Sequence, residues 1–311
     1  MKAAVMKAAR IHKFGGPDVI VIDELPRPEP GPDEVLVRVA AAGVGPWDAL
    51  IRARKSVVHS PLPLTLGSDL SGVVEARGAG VKKFNLGDEV FGVTNKEFIG
   101  AYGEYALASA EMVAAKPESL DYLAAASAPV VAVTAWQMLF DYAGAKRGQT
   151  ILIHGAAGNV GAYAVQLASQ AGLHVFVTVG SKDTEYVGKL GAATVIDYKA
   201  QSFEQVVPRV DIVLDLVGGN TRDRSFAIIK PGGILVSVVS EPMPNPNGVR
   251  AVFFLVEVTT QRLELLAKMF DSEKLVSQVG SVLPLEHARA AHEMLAGAPH
   301  KRGKIVLAVT N

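Results

Sequence analysis

Cysteine is absent from all 311 residues. That excludes disulfides, iron–sulfur clusters, thiolate zinc sites and cysteine nucleophiles together. It fits a reducing compartment, and a cytoplasmic location is the expectation. An excess of one charge is also lacking: 31 lysines and arginines face 31 aspartates and glutamates, so the formal net charge is zero. Nothing global therefore points to nucleic acid or an anionic membrane, and neither is expected as a partner. No apolar run reaches the roughly eighteen residues of a membrane-spanning helix. The N-terminal MKAAVMKAARIHKF is basic but has no apolar core and no cleavage signal, so no secretory leader is read. The tetrapeptide MKAA stands at Met1 and again at Met6, giving two candidate starts. Long repeats and low-complexity tracts are missing. What remains is globular material, 49% hydrophobic and 20% charged, which can bury a full core. At roughly 100–200 residues per domain, two domains are expected.

The chain changes texture along its length. From Val35 to about Val113 it is β-rich and punctuated by glycine. Residues 35–39 (VLVRV), 66–76 (LGSDLSGVVEA) and the turn 87–92 (GDEVFG) carry strand signals and suggest a barrel-like β domain. After about Leu123 strands alternate with helices. The strands are read at 150–154 (TILIH), 174–179 (HVFVTV), 194–197 (TVID), 210–216 (VDIVLDL) and 234–239 (ILVSVV), the last after the turn Pro231-Gly232-Gly233. Helices are expected over 183–190 and 222–229. A further helix begins near Val160. Its Val160, Tyr163, Ala164, Leu167, Ala168 and Ala171 share one face, and Gly172 stops it. This alternation predicts a parallel, doubly wound α/β sheet with right-handed crossovers. The tail from Thr259 shows two helical patterns and a final strand, 304–309 (KIVLAV), expected to return to the first domain.

Between the first of those strands and its helix lies HGAAGNVG, 154–161. Taken from Ala156 it is A-x-G-x-x-G, with alanine at the first glycine position. The strand–loop–helix setting is what a dinucleotide loop needs. Ala156 and Ala157 form the loop, and Gly158 lets the backbone approach a diphosphate. Asn159 and Val160 open the helix, whose free N–H groups attract anions, and Gly161 permits close packing. The next strand ends in Gly180-Ser181-Lys182, with no acid before Asp183. An acid there favours NAD. Its absence, with a lysine present, favours NADPH.

On these motifs the chain resembles the zinc-independent, zeta-crystallin-like quinone oxidoreductase family of medium-chain dehydrogenases/reductases. The matching stretches are 16–44 (GPDVIVIDELPRPEPGPDEVLVRVAAAGV), 67–92 (GSDLSGVVEARGAGVKKFNLGDEVFG), the glycine loop and 302–307 (RGKIVL). The resemblance implies a GroES-like barrel over 1–123, a Rossmann NADPH-binding domain over 124–265 and a segment, 266–311, that completes the first domain. It implies a homodimer joined through the Rossmann sheets. It also implies that Thr134 lies near the nicotinamide. Tyr198 would flank the adenosine phosphate with Gly180, Ser181 and Lys182. Val217, Val239, Phe253 and Phe254 would line the nicotinamide side. Zinc-dependent relatives carry a cysteine near Gly45 and a Gly-His-Glu triplet where this chain has Gly67-Ser68-Asp69; their cysteine-rich structural lobe is missing here. No zinc is expected. The family's quinone reductases often have asparagine at Gly45 and tyrosine at Leu50, whereas Asp48 and Arg52 fit their pattern.

With no ligand set for a Lewis acid, an activated acceptor such as a quinone or enone suits the chain better than a simple ketone. Tyr102 and Tyr105 have two readings, donor to an oxyanion or packing. Asp48 would orient Arg52, relay a proton, or form a structural ion pair. The loop 55–64 (KSVVHSPLPL) is read as a proline-braced cover with His59 exposed. His287 and His292 are five apart, off the spacing of a helical zinc pair, and read as helix surface or packing. The expected activity is NADPH-dependent reduction of quinones or α,β-unsaturated carbonyls. The alternatives are an enoyl-thioester or 2-alkenal reductase and an NADPH-binding sensor or structural protein.

Overall fold

The computed structural model describes residues 5–241 and 248–309. The Met1 copy of MKAA lies outside them, and Met6 falls in the first strand. The chain forms two compact units, residues 1–130 with 258–311, and residues 131–257.

The first unit opens with β1 (Val5–Ile11), β2 (Ile20–Pro26) and β3 (Glu34–Val44). The short helix α1 (Pro46–Arg52) follows. Then come β4 (Leu64–Thr65), β5 (Asp69–Arg77), β6 (Glu89–Val93), β7 (Tyr105–Ser109) and β8 (Val113–Ala115). Helix α2 (Tyr122–Ala126) is capped by Asp121, whose carboxylate accepts from the N–H of Ala124. Helix α3 (Pro129–Trp136) carries the chain out of this unit.

The second unit runs β9 (Thr150–His154), α4 (Asn159–Gln170), β10 (His174–Val179), α5 (Thr184–Lys189) and β11 (Thr194–Asp197). It continues with α6 (Phe203–Val206), β12 (Val210–Asp215), α7 (Gly219–Ser225), β13 (Ile229–Ser237) and β14 (Arg250–Phe253). The chain then returns to the first unit as α8 (Thr260–Asp271), β15 (Val279–Pro284), α9 (Ala288–Leu295) and β16 (Lys304–Ala308).

In the second unit six parallel strands lie in the order β11-β10-β9-β12-β13-β14, the doubly wound arrangement. The central strands are buried apolar runs, as a sheet covered on both faces requires. In the first unit a mostly antiparallel sheet, β15-β16-β3-β5-β6-β8 with β7 also on β3, stands beside a small sheet β2-β1-β4. No described helix is long and apolar enough to cross a membrane.

The unit boundaries fall at 130 and 258, where the sequence suggested 123 and 265. Helix α8 explains the second shift. The Thr260 hydroxyl donates to the carbonyls of Ala110 and Val113, and its N–H to that of Glu111, which ties the helix to β8. Three expectations need correction. Pro231-Gly232-Gly233 does not precede a strand but bulges out of one. Val210 pairs with Ile229 and Ile212 with Ile234, and Gly232 takes φ 79° in the extruded loop. The helix expected over 222–229 is α7, three residues earlier, because Ile228 and Ile229 are drawn into the core and the strand. Finally, the tail contains β15, a half-exposed strand parallel to β16 that two helical patterns had hidden.

Candidate functional site

The second unit holds a cavity of about 770 Å³ at the C-terminal ends of β9, β10, β11 and β12. That lies in the size range of cofactor pockets, roughly 300–1,000 Å³. Ala157 and Gly158 of the glycine loop, Gly180, Ser181 and Lys182 after β10, Tyr198 after β11 and Val217 after β12 all line it. Asn159, Val160 and Gly161 form the first turn of α4, whose leading N–H groups have no partner within the helix. Gly155, one residue before the alanine at the motif's first position, makes the tight turn. It takes φ 71°, while Ala156 is buried. At Gly161 a Cβ would stand 2.4 Å from the Gly155 carbonyl oxygen and 2.7 Å from the Ala156 Cα. Gly161→Ala is therefore expected to push loop and helix apart, costing about 1–3 kcal/mol and weakening dinucleotide binding. Melting temperature and nucleotide titration check it; an unchanged affinity would count against the packing argument.

The remaining expected contacts are distributed differently. Thr134 is buried in α3. Val239 is half-exposed and stands against the Cβ position of Gly218. Phe253 belongs to β14, and Phe254 is buried with its ring stacked on Tyr142 at 4.2 Å. Sequence reasoning passed over His154, Thr178, Phe203 and Arg224, which also line the cavity. His154 is fully buried. Ser225 donates its proton to the Thr221 carbonyl, so its oxygen accepts from His154 Nε2, and Thr178 donates to Nδ1. Burial pushes this imidazole down to about 4, against the attraction of Asp215. The histidine directly before the glycine loop was the one signal available for it.

The three residues expected to be catalytic lie inside the first unit. Asp48, Tyr102 and Arg52 are 0%, 0% and 6% exposed, so none presents its side chain to solvent. Asp48 Oδ2 accepts from the Gly45 N–H at 2.8 Å, capping α1, and from the Tyr102 hydroxyl at 3.0 Å. Burial pushes its pKa up to about 7, against the Gly45 hydrogen bond and the Lys304 charge. Arg52 donates to the Gly15 carbonyl and, at 2.8 Å, to His292 Nδ1. Burial first, then the Arg52 charge, holds His292 down to about 3. A second buried pair lies nearby. Lys304 Nζ stands 3.0 Å from Asp69 Oδ2 and 4.1 Å from the centre of the Trp47 ring. Trp47 Nε1 donates to Ser68 Oγ, and the N–H of Val130 to Asp69 Oδ1. Tyr105 instead carries the Arg27 guanidinium over its ring, and His59 is exposed.

Known proteins share this arrangement along the whole chain. Residues 31–118 match the family model "Alcohol dehydrogenase GroES-like domain" and residues 190–307 "Zinc-binding dehydrogenase". The quinone oxidoreductase of Sus scrofa is 31% identical, covering 97% of this chain and 98% of its own. The chain belongs to the quinone oxidoreductase family. Its medium-chain dehydrogenase/reductase fold recurs in the solved quinone oxidoreductase from Coxiella burnetii, with TM-score 0.90, 33% identity and coverage of 99% and 100%. A cobalt- and zinc-bound thermostable alcohol dehydrogenase from Pyrobaculum aerophilum superposes with TM-score 0.87 at 28% identity, covering 98% and 100%. As a member of the family this protein is an oxidoreductase.

The positions where zinc-dependent relatives carry their ligands do not fit that metal here. Gly45 offers no ligand, and a Cβ there would stand 2.3 Å from the Trp47 ring. Ser68 is bonded to that same indole, and Asp69 is committed to Lys304 and Val130. Among the described residues no group of three His, Cys, Asp or Glu could hold a metal ion. The quinone oxidoreductase family does imply a nicotinamide cofactor, and the glycine loop, α4 and the cavity of the second unit suit one.

Proposed function

We propose that this quinone oxidoreductase family member is an NADPH-dependent, metal-independent reductase of quinones and other activated carbonyls. One observation carries the cofactor choice. The end of β10 opens onto the cavity as Gly180-Ser181-Lys182, with no carboxylate on the strand's last residues. Lys182 and Lys199 line the cavity, and among the described residues Asp183 is the only acid that joins them, while Arg224 in the same wall is paired with Glu204. A ribose phosphate finds positive charge there, whereas ribose hydroxyls find no acid at the strand end. Asp197 bonds the Ser181 hydroxyl at 2.6 Å and the N–H of Lys199 at 3.0 Å, outside the lining.

When bound, the nicotinamide supplies a hydride. With one proton from water, a quinone then becomes its hydroquinone in a two-electron step. The chain orients and positions. Gly158 leaves room for the diphosphate beside the α4 N-terminus, and Lys182 neutralises the ribose phosphate. Asp48, Tyr102 and Arg52 act as positioning residues. Arg52 anchors α1 to the Gly15 loop and to α9, and Asp48 holds the Tyr102 hydroxyl. An activated acceptor requires no Lewis acid, which agrees with the donor set around Gly45 and Ser68.

The test is NADPH oxidation with an ortho-quinone, a para-quinone, a 2-alkenal and a simple ketone, and NADH in parallel. Quinone or alkenal turnover with NADPH is expected. Tight NADPH binding with no turnover would instead favour a sensor, and NADH preference would overturn the cofactor assignment. Lys182→Ala is expected to raise the KM for NADPH about tenfold or more while leaving that for NADH nearly unchanged. Two copies are proposed to associate through the six-stranded sheet, where β14 forms an edge. Light scattering on the purified chain checks this, and a monomer would rule it out.

A further inference from the structure

We infer that Arg224 is the adenine platform of this cavity, its guanidinium held flat by Glu204 so that one face stacks on the purine of the dinucleotide. The inference rests on the dinucleotide assignment above but not on the choice between NADPH and NADH.

Place comes first. The glycine loop after β9 suits the diphosphate and the turn after β10 the ribose. The base then falls toward the wall built after β11 and from α7. Arg224 lies on that wall with Ser202 and Phe203. Geometry is the second point. Arg224 Nε and Nη2 donate to the two oxygens of Glu204 at 2.5 and 2.6 Å, and Nη2 also reaches Ser202 Oγ at 2.9 Å. Such a fork fixes the guanidinium in the carboxylate plane. Burial alone would raise the Glu204 pKa, but Arg224 and Ser202 hold it down to about 2, so the clamp is charged at neutral pH. The Phe203 ring lies 5.1 Å from the guanidinium carbon and is itself set edge-on against buried His154 at 4.8 Å. The arginine thus has a rigid foundation, although its side chain is 42% exposed.

Chemistry decides between two roles. A guanidinium already paired with a carboxylate is a poor phosphate ligand, because its charge and its in-plane donors are committed. Its flat, weakly hydrated face remains available, and that face suits an aromatic base.

The experiment titrates wild type, Arg224→Ala, Arg224→Lys and Glu204→Gln with NADPH and with NADH, and records a melting temperature for each. Arg224→Ala is expected to bind both nucleotides about tenfold more weakly, by the same factor, the scale of one base stacked on a side chain. Arg224→Lys keeps the charge beside Glu204 but has no planar face, so it should not restore affinity. Glu204→Gln should show a smaller loss. Unchanged affinity in Arg224→Ala would overturn the platform. So would a loss confined to NADPH, which marks a phosphate contact, or full rescue by lysine, which marks charge alone. If Arg224→Ala does not fold, the lysine variant carries the test. Wild type that prefers NADH would overturn the NADPH assignment and leave this test intact; wild type that binds neither nucleotide overturns both.

Discussion

Lys304→Met is expected to destabilise the protein by about 3–5 kcal/mol, the largest loss of any single replacement considered. Lys304 is 1% exposed and Asp69 0%, so water cannot compensate either charge. Removing the ammonium leaves a carboxylate whose pKa is already raised by burial and which only Lys304 and the Val130 N–H restrain. Asp69 would then take up a proton on folding, and the loss should grow with pH. The double variant Lys304→Met/Asp69→Asn removes the orphaned charge while an amide oxygen still accepts from Val130. It should recover a large part of the loss. Urea unfolding of the four proteins, read as a double-mutant cycle, measures this. A single variant within about 1 kcal/mol of wild type would mean that the pair is solvated in solution.

The second large effect concerns Asp48 and depends on pH. Its pKa is about 7 in the folded protein, against 3.8 for the unperturbed group. Between those values the folded chain holds a proton that the unfolded chain has lost. This contribution to stability is fully present below about 3.8 and is lost as pH rises through 7. The interval corresponds to about 4 kcal/mol. Asp48→Asn keeps an oxygen for the Gly45 N–H and the Tyr102 hydroxyl but cannot ionise. It should therefore gain on wild type by up to that amount between pH 4 and pH 8. The groups facing Asp48 are Tyr102, Lys304 and Asp69, so the same series on Lys304→Met should move the transition upward. Parallel stability–pH curves for wild type and Asp48→Asn would sink the argument. The two buried histidines act in the opposite sense. His154 and His292, held near 4 and 3, stay neutral while their unfolded counterparts charge below about 6.5, so acid removes stability that they contribute near neutrality.

Much of the fold can be read directly from the chain, and the reasons are local. Strands β9 and β10 have the bounds that their apolar runs suggest, because a parallel strand buried on both faces needs an unbroken run and stops where it stops; β11, partly buried at the sheet edge, keeps its expected bounds by pairing with β10. Strand β15 has no such run. Its residues, VGSVLP, are half-exposed, and only pairing with β16 makes them a strand. The glycine loop was legible from its setting, although Gly155, one position earlier than the pattern suggested, makes the turn. The burial of Asp48 and Arg52 was not legible in the sequence. Asp48 and Arg52 fit the family's spacing, but spacing along one helix says nothing of which side chains the sheet will enclose. Arg224 was invisible for the converse reason. Its partner lies 20 residues away on another helix, and no local pattern joins Arg224 to Glu204.

The indole that rests on Lys304 has an optical consequence. The chain contains two tryptophans, Trp47 and Trp136, and the division at residue 130 leaves one in each unit. Trp47 emits from beside an ammonium ion and a serine hydroxyl, Trp136 from beside the ring of Phe140. Each unit therefore carries its own natural fluorophore in a distinct polarity. With Trp47→Phe and Trp136→Phe as blanks, intrinsic fluorescence can follow the loss of one unit's structure independently of the other's.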